Sequence, residues 1–200
     1  MTRSGSGMPH ALVLVAGAGG CLGRAVFSSP IAARASLVAT CRNSSAPIYV
    51  DLESEPASWR LPEAGDGGAA LLLAAETSTA ACEADPERAR RVNVAATLAL
   101  ARQLAARGFF LVFPSTSQVF DGTRPLPAPG DAPSPITVYG QHKAEVERAL
   151  LVEHPTGVAI LRITKVLDAN NGLIRRWTEN LLRGEAVNAF GDMRMAPVSE

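Results

Sequence analysis

The stretch ALVLVAGAGGCLG, residues 11–23, decides the fold. Its first part is an unbroken apolar run, residues 11–16, with the composition of a strand buried on both faces. The run leads directly into a loop in which Gly17, Gly20 and Gly23 recur at every third position. The amphipathic segment that follows has the pattern of a helix. The sequence therefore predicts a strand, a glycine loop and a helix in immediate succession.

Glycines in this arrangement suit a diphosphate. A pyrophosphate approaches the backbone only where no Cβ blocks it, and a helix N-terminus offers N–H groups and the positive end of its dipole. Gly23 also allows the helix to pack closely against the strand. A tight turn in a glycine-rich chain is the plainer explanation, but the strand–loop–helix context favours a dinucleotide site. We expect that site to include Gly17, Gly20, Cys21, Leu22 and Gly23.

Strands and helices alternate along the rest of the chain. Apolar runs predict further strands at residues 36–41, 47–50, 69–75, 109–113 and 158–163. A long helix is predicted from Pro86, with Asp85 as its N-cap and Gly108 as its stop, and another over residues 139–152. Continuous apolar strands alternating with helices predict an α/β fold: a doubly wound parallel sheet with helices on both faces, the Rossmann fold.

Composition narrows the function classes. The chain carries 19 basic and 19 acidic side chains, which argues against a nucleic-acid or membrane-surface partner held by overall charge. Its three cysteines are widely spaced and its histidines are scattered, which argues against a disulfide framework or a metal site. No stretch is long enough to span a membrane. We expect a cytoplasmic protein.

Residues at the ends of the predicted strands bear on the choice of dinucleotide. Arg42 follows the second strand, where NAD-preferring sites place an acid, and it suits the 2′-phosphate of NADP unless it is a solvated surface arginine. Asp51, followed by Leu52, ends the third strand and either reaches the adenine amine or is a plain loop aspartate. Ala74 and Ala75 end the fourth strand beside the expected cofactor. NADP is the expected cofactor, with NAD as the alternative.

Tyr139 and Lys143 form a YxxxK pattern, which on a helix places both side chains on one face. An ammonium nearby lowers the pKa of a phenol from about 10, so that Tyr139 exchanges a proton with a carbonyl while Lys143 holds the nicotinamide ribose. The pattern alone is common by chance. The hydroxyl cluster Ser115-Thr116-Ser117 at the end of the fifth strand strengthens it, because ligands bind at such strand ends, although such a cluster also caps or turns a chain.

The order of these features resembles the extended short-chain dehydrogenase/reductases. The segment STSQVFDG, residues 115–122, is similar to the STDxVFDG signature of dTDP-4-dehydrorhamnose reductases, and residues 133–143 resemble that family's P-x-x-x-YG-x-x-K segment. The segment RVNV resembles a helix whose asparagine, here Asn93, is often retained beside the cofactor. The resemblance implies Thr116, Tyr139 and Lys143 as the catalytic set and NADPH- or NADH-dependent reduction of a nucleotide-linked 4-keto sugar.

Departures from the family pattern keep alternatives open. Ser117 and Gln118 replace the Asp-Tyr of the signature, and Glu76 stands where small or aromatic residues are usual. A nucleotide-sugar epimerase, which needs only the Tyr and the Lys, and a non-catalytic NAD(P)-binding regulatory subunit or sensor are the alternatives, and a homodimer is compatible with each. Family members continue beyond the position of Glu200. We therefore interpret residues 1–8 as a flexible leader, 9–166 as the Rossmann domain and 167–200 as the start of an incomplete substrate region.

Overall fold

The computed structural model describes residues 11–42, 48–167, 172–187 and 198–199. The predicted leader, residues 1–8, lies outside the described residues. The chain divides into two compact units, Met1–Arg162 and Ile163–Glu200. The first unit contains the glycine loop, the hydroxyl cluster and the YxxxK pattern.

The main sheet has six strands in the order β3-β2-β1-β4-β5-β6. β1 pairs in parallel with β2 and β4, so that Leu14 stands beside Val38 on one side and Ala70 on the other. Strand order reverses direction between β1 and β4, which confirms the predicted doubly wound Rossmann-like α/β fold. The strands are β1 (Leu12–Ala16), β2 (Ser36–Cys41), β3 (Ile48–Tyr49), β4 (Ala69–Leu72), β5 (Phe110–Thr116) and β6 (Val158–Ile163).

The helix that follows β4 differs from the prediction. A short helix, α2 (Thr79–Ala84), precedes it and begins at Ser78, whose hydroxyl accepts a hydrogen bond from the Ala81 amide. The long helix then consists of three parts: α3 (Pro86–Arg90), a π-helical turn (Arg91–Ala96) and α4 (Thr97–Ala106). π-Helical turns inside α-helices are frequent at functional sites.

The other helices of the first unit are α1 (Cys21–Ser28) and α5 (Val138–Glu153), with short 3₁₀ turns at Pro30–Ala33, Pro56–Ser58 and Ser117–Val119. One apolar core joins the sheet to α4 and α5, and it includes Phe113 of β5, Leu104 of α4 and Leu150 of α5. Because this core fixes α5 against β5, the beginning of α5 comes to lie beside the end of β5.

The second unit has its own small elements. Strands β7 (Val166–Leu167) and β8 (Val198–Ser199) pair in parallel, and α6 (Gly172–Leu182) lies between them in the sequence. Arg175 and Glu179 form an ion pair one turn apart on α6, at 2.7 Å. Within the described part of the chain, no helix is long and apolar enough to cross a lipid bilayer.

Candidate functional site

A cleft of about 420 Å³ opens at the carboxyl ends of the first four strands. Small-molecule sites have volumes of about 300–1,000 Å³, and ligands of open α/β sheets bind where the strand order reverses. Seven of the predicted cofactor-binding residues line this cleft: Gly17, Gly20, Arg42, Asp51, Leu52, Ala74 and Ala75. The lining is completed by Gly19, Val50, Glu53, Glu76, Arg88 and Val92.

Gly17 begins the loop in a conformation that favours glycine. Its φ is +90°, and a Cβ at this position would lie 2.7 Å from the Ala74 nitrogen after β4. The amides of Gly17 and Ala18 both donate to the Thr40 carbonyl of β2, at 3.2 and 3.1 Å. The loop is therefore held between the ends of β2 and β4, and only glycine fits its first position.

The loop passes directly into α1. Gly20 is the N-cap and supplies no side-chain hydrogen bond, and the first regular helical bond runs from the Arg24 amide to the Gly20 carbonyl at 3.0 Å. A Cβ on Gly23 would lie 2.6 Å from the Ala18 carbonyl oxygen, so α1 packs closely on the loop, as predicted. Cys21, Leu22 and Gly23 form the first turn of α1 and are not among the residues that line the cleft.

Four charged side chains, which we call the charged rim, border the cleft. They are Arg42, Glu53, Glu76 and Arg88. Arg88 Nε donates to Glu53 at 2.8 Å, Arg42 lies 4.0 Å from the other Glu53 oxygen, and Arg88 lies 3.9 Å from Glu76. Glu53 and Arg88 were not predicted, because they are 35 positions apart and belong to no local motif.

Asp51 shapes the cleft wall beside the rim. Its carboxylate accepts hydrogen bonds from the Glu53 amide at 3.0 Å and the Tyr49 hydroxyl at 3.4 Å. Its carbonyl accepts from the Trp59 indole at 3.1 Å. The geometry is that of an aspartate that turns the chain after β3. A contact of this residue with adenine stays a prediction.

Asn93 lies in the π-helical turn and is buried. Its amide nitrogen donates to the Glu76 carbonyl at 2.9 Å, and its amide oxygen accepts from the Glu76 N–H at 2.8 Å. An amide side chain both donates and accepts without a charge, so it can bond to both backbone groups of one residue. Asn93 therefore holds the segment after β4 that forms one wall of the cleft, and it is not itself among the residues that line the cleft.

Tyr139 and Lys143 lie at the start of α5 and are both buried, at 8% and 5% exposure. The Lys143 Nζ is 5.9 Å from the centre of the Tyr139 ring and 4.3 Å from that of Phe113. It donates a hydrogen bond to the Pro114 carbonyl of β5 at 2.8 Å. The predicted pair therefore shares one helix face. In the described part of the chain, neither residue lines the cleft.

Burial controls the ionisation of this pair. It raises the pKa of Tyr139 to about 12, with a smaller contribution from Cys82, and it lowers the pKa of Lys143 to about 8 against a weaker opposing effect of Glu147. The expected lowering of the Tyr139 pKa by Lys143 is therefore wrong for this structure. Burial removes water from around the phenolate, and this loss of solvation raises the pKa of Tyr139. At neutral pH the phenol keeps its proton.

Thr116 lies at the end of β5, in contact with the turn that leads toward α5. Its hydroxyl accepts a hydrogen bond from the Gln118 amide at 3.2 Å, which is a capping role. A Cβ on Gly140 would overlap the Gln118 carbonyl oxygen. Gly140 therefore allows the residue after Tyr139 to pack directly on the turn that follows Thr116, and the three predicted catalytic residues come from adjoining segments.

Arg162 of β6 links α5, the helix that carries Tyr139 and Lys143, to the loop between β5 and α5. Its guanidinium bonds to both carboxylate oxygens of Glu147, at 2.7 to 3.1 Å, and to the carbonyls of Pro129 and Asp131, at 3.1 and 3.2 Å. It also lies 5.0 Å from the Phe120 ring. Glu147 is one helical turn beyond Lys143, so this contact anchors α5 and the Pro-rich loop together.

Curated relatives match a large part of the chain. Methionine adenosyltransferase 2 subunit beta of Rattus norvegicus is 35% identical over 158 residues, which cover 78% of this chain and 47% of that protein. dTDP-4-dehydrorhamnose reductase of Sinorhizobium fredii is 31% identical over 131 residues, covering 64% and 44%. The chain spans about half the length of the curated relatives it matches.

Solved structures share the fold. UDP-glucose 4-epimerase of Thermotoga maritima, solved with UDP-glucose, is 25% identical with a TM-score of 0.73, covering 94% of this chain and 69% of that one. dTDP-4-dehydrorhamnose reductase of Bacillus anthracis, solved with NADP, is 22% identical with a TM-score of 0.72, covering 87% and 62%. UDP-glucose 4-epimerase of Thermus thermophilus, solved with NAD, is 21% identical with a TM-score of 0.73, covering 94% and 70%.

The family itself is identified by a match to nearly the whole chain. The model of the RmlD substrate binding domain family matches residues 11–199. The resemblance to dTDP-4-dehydrorhamnose reductases that the motifs indicated is thereby confirmed. The chain belongs to the RmlD substrate binding domain family.

Proposed function

We propose that this chain binds NADP or NAD in the cleft and takes part in the reduction of a nucleotide-linked 4-keto sugar. The observation that carries the proposal is the position of the cleft, which Gly17, Gly20, Ala74 and Ala75 line where the strand order reverses. The dinucleotides bound to solved structures of the same fold support it.

The residues present fit a nicotinamide dinucleotide. Gly17 and Gly20 leave the backbone accessible beside the N-terminus of α1, which suits a pyrophosphate. Two arginines of the charged rim, Arg42 and Arg88, supply positive charge for further phosphate or ribose contacts. When bound, the dinucleotide supplies the hydride for the keto carbon.

The buried pair supplies the proton in this proposal. Tyr139 carries a proton at neutral pH, because burial raises its pKa to about 12, and it donates that proton to the oxygen of the keto group as the carbon is reduced to an alcohol. Lys143, held at the Pro114 carbonyl, places a positive charge beside the phenol and stabilises the phenolate that forms. The Thr116 hydroxyl orients the same carbonyl.

The test begins with binding. NADPH and NADH are titrated against the purified chain, and consumption of NADPH is then followed with dTDP-4-keto sugars. Tyr139→Phe should keep dinucleotide binding and lower turnover by at least about a hundredfold, the usual contribution of a general acid. A control is Thr156→Val, which removes an exposed hydroxyl outside the cleft lining and should leave turnover nearly unchanged.

Three outcomes would contradict the proposal. Absence of binding of both dinucleotides would remove its basis. Turnover that persists in Tyr139→Phe would exclude Tyr139 as the proton donor. Conversion of the sugar without net consumption of NADPH would indicate an epimerase activity and contradict the proposed reductase activity.

A second candidate is a partner subunit of a methionine adenosyltransferase. Identity to the protein named as subunit beta is 35%, against 31% for the reductase, and Ser117 and Gln118 replace the reductase residues of the signature. The chain is mixed with methionine adenosyltransferase from the same source and run on gel filtration. Co-elution that is unaffected by Tyr139→Phe, without sugar turnover, supports this candidate, and separate elution excludes it.

A further inference from the structure

The charged rim brings together side chains from four separate segments. Arg42 follows β2, Glu53 follows β3, Glu76 follows β4 and Arg88 lies on α3. Two positive and two negative charges therefore meet at one side of the cleft. The balance of these charges matters when two ligands, such as NAD and NADP, differ only in the number of their phosphates.

Arg42 stands where dinucleotide-binding folds recognise the adenosine ribose. In such folds, the residue roughly 20 positions beyond the glycine loop contacts the 2′ position: an acid bonds the hydroxyl of NAD, and an arginine bonds the phosphate of NADP. In this chain the acid is missing from β2, but Glu53 lies 4.0 Å from Arg42. The carboxylate is thus supplied by the segment after β3, and it lies beside the arginine without replacing it.

Arg88 decides how strongly Glu53 acts on Arg42. The Arg88–Glu53 hydrogen bond is 2.8 Å long, whereas Arg42 is only within ion-pair range of Glu53 and keeps 73% of its side chain exposed. Glu53 is therefore bound to Arg88 first. Arg42 remains accessible to an incoming anion, and Arg88 offsets the negative charge that would repel that anion.

We propose that Glu53 and Arg88 set the choice between NAD and NADP. Glu53 accepts a hydrogen bond from the ribose 2′-hydroxyl of NAD. Arg88 holds the Glu53 carboxylate and offsets its charge, so that Arg42 binds the 2′-phosphate of NADP. The proposal rests on the proposed dinucleotide-binding function and makes the chain a receptor for both cofactors.

The experiment measures the dissociation constants of NADPH and NADH by calorimetry for the wild-type chain and two variants. In Glu53→Gln, the ratio Kd(NADPH)/Kd(NADH) should fall about tenfold, the size of one charge-assisted hydrogen bond. In Arg88→Gln, the ratio should rise by about the same factor, because Glu53 is released toward the phosphate. Glu63→Gln and Arg60→Gln, exposed and outside the cleft lining, are the controls.

Opposite changes of Kd(NADPH)/Kd(NADH) in the two variants would identify this role, because a merely structural role would weaken the binding of both dinucleotides equally. Equal effects on both dinucleotides, or changes of the same sign in the two variants, would overturn the assignment. Thermal midpoints equal to that of the wild type verify that each variant is folded. Binding of only one dinucleotide to the wild-type chain would also overturn the assignment, whereas absence of binding of both would instead refute the proposed function itself.

Discussion

The ion pair between Arg162 and Glu147 offers the sharpest test of how the candidate site is held. Glu147 is 2% exposed, and its carboxylate accepts three hydrogen bonds from Arg162. Glu147→Gln preserves the shape of the side chain but removes its charge. We expect this single change to destabilise the fold more than replacing both partners by apolar residues.

The magnitude follows from what each variant leaves behind. Removing one partner of a buried pair costs about 3–5 kcal/mol, because the other charge loses its compensation. Arg162 is 18% exposed and keeps its bonds to Pro129 and Asp131, so we take the lower end, about 3 kcal/mol, for Glu147→Gln. In Glu147→Leu/Arg162→Met neither member of the pair is left without the other, and the two loop carbonyls turn to water, so about 1 kcal/mol is expected.

Urea unfolding followed by circular dichroism measures these free energies, provided that the slope with urea concentration stays constant. Glu145→Gln is the control on the same helix: Glu145 pairs with Arg90 at the surface, and such pairs contribute about 0–1 kcal/mol. A loss below about 1 kcal/mol in Glu147→Gln would refute the reasoning. So would a double variant as unstable as the sum of the single ones.

Two further predictions concern Lys143 and Gly140. The pKa of Lys143 is about 8 in the folded chain, against 10.5 ordinarily. Between these two pH values the unfolded chain binds a proton that the folded chain does not. The free energy of unfolding should therefore rise with pH over this range, by about 3 kcal/mol. Denaturant unfolding at several pH values measures this rise. It should be abolished in Lys143→Met and kept in Lys165→Met, the variant of the only other lysine. Tyr139, with its pKa of about 12, should lower the free energy of unfolding with pH only above about pH 10. Gly140→Ala should lower the free energy of unfolding by about 1–3 kcal/mol, because its Cβ would overlap the Gln118 carbonyl. In the control Gly157→Ala, the new Cβ would meet only the His154 Cβ at 3.7 Å, so the free energy of unfolding should change by about 0.5 kcal/mol or less. Equal thermal midpoints for the two variants would contradict this prediction.

The parts of the fold that were predicted well are those in which local pattern and tertiary structure agree. β2 and β6 have the predicted bounds, and β1 differs from its predicted bounds by a single residue at one end. Each is a mostly apolar run next to a glycine or a loop residue. The ends of β4 and β5 were misjudged, because both lie at the candidate site. β4 stops at Leu72 and Ala74 turns into the cleft wall, whereas β5 continues through polar residues to Thr116.

The interrupted helix could not be predicted from periodicity. A π-helical turn changes the spacing only locally, and the apolar residues on both sides still fit one helix. What accompanies the turn is tertiary: Asn93 bonds to both backbone groups of Glu76, 17 positions earlier. α2 was missed because its six residues are too few to show a helical period.

The candidate site divides in the same way. The glycines and the YxxxK pair are local motifs, and their spacing together with the surrounding strands and helices predicted them as site residues. Glu53 and Arg88 meet only because β3 and α3 end at the same cleft, and no local pattern signals their contact. The direction of the Tyr139 pKa was misjudged because the sequence reveals a neighbouring ammonium but not the burial that outweighs it.

The two halves of the proposed site are therefore held by different forces. The dinucleotide half is made of backbone and of exposed charges such as Arg42 and Glu53, whose pairs contribute about 0–1 kcal/mol each to stability. The proton-donating half is made of buried groups, among them Lys143 and Glu147, that are bonded into the core. Changes in the rim should alter which dinucleotide binds without unfolding the chain. Changes around Lys143 should alter stability together with turnover, so that binding selectivity and the free energy of unfolding report on the two halves independently.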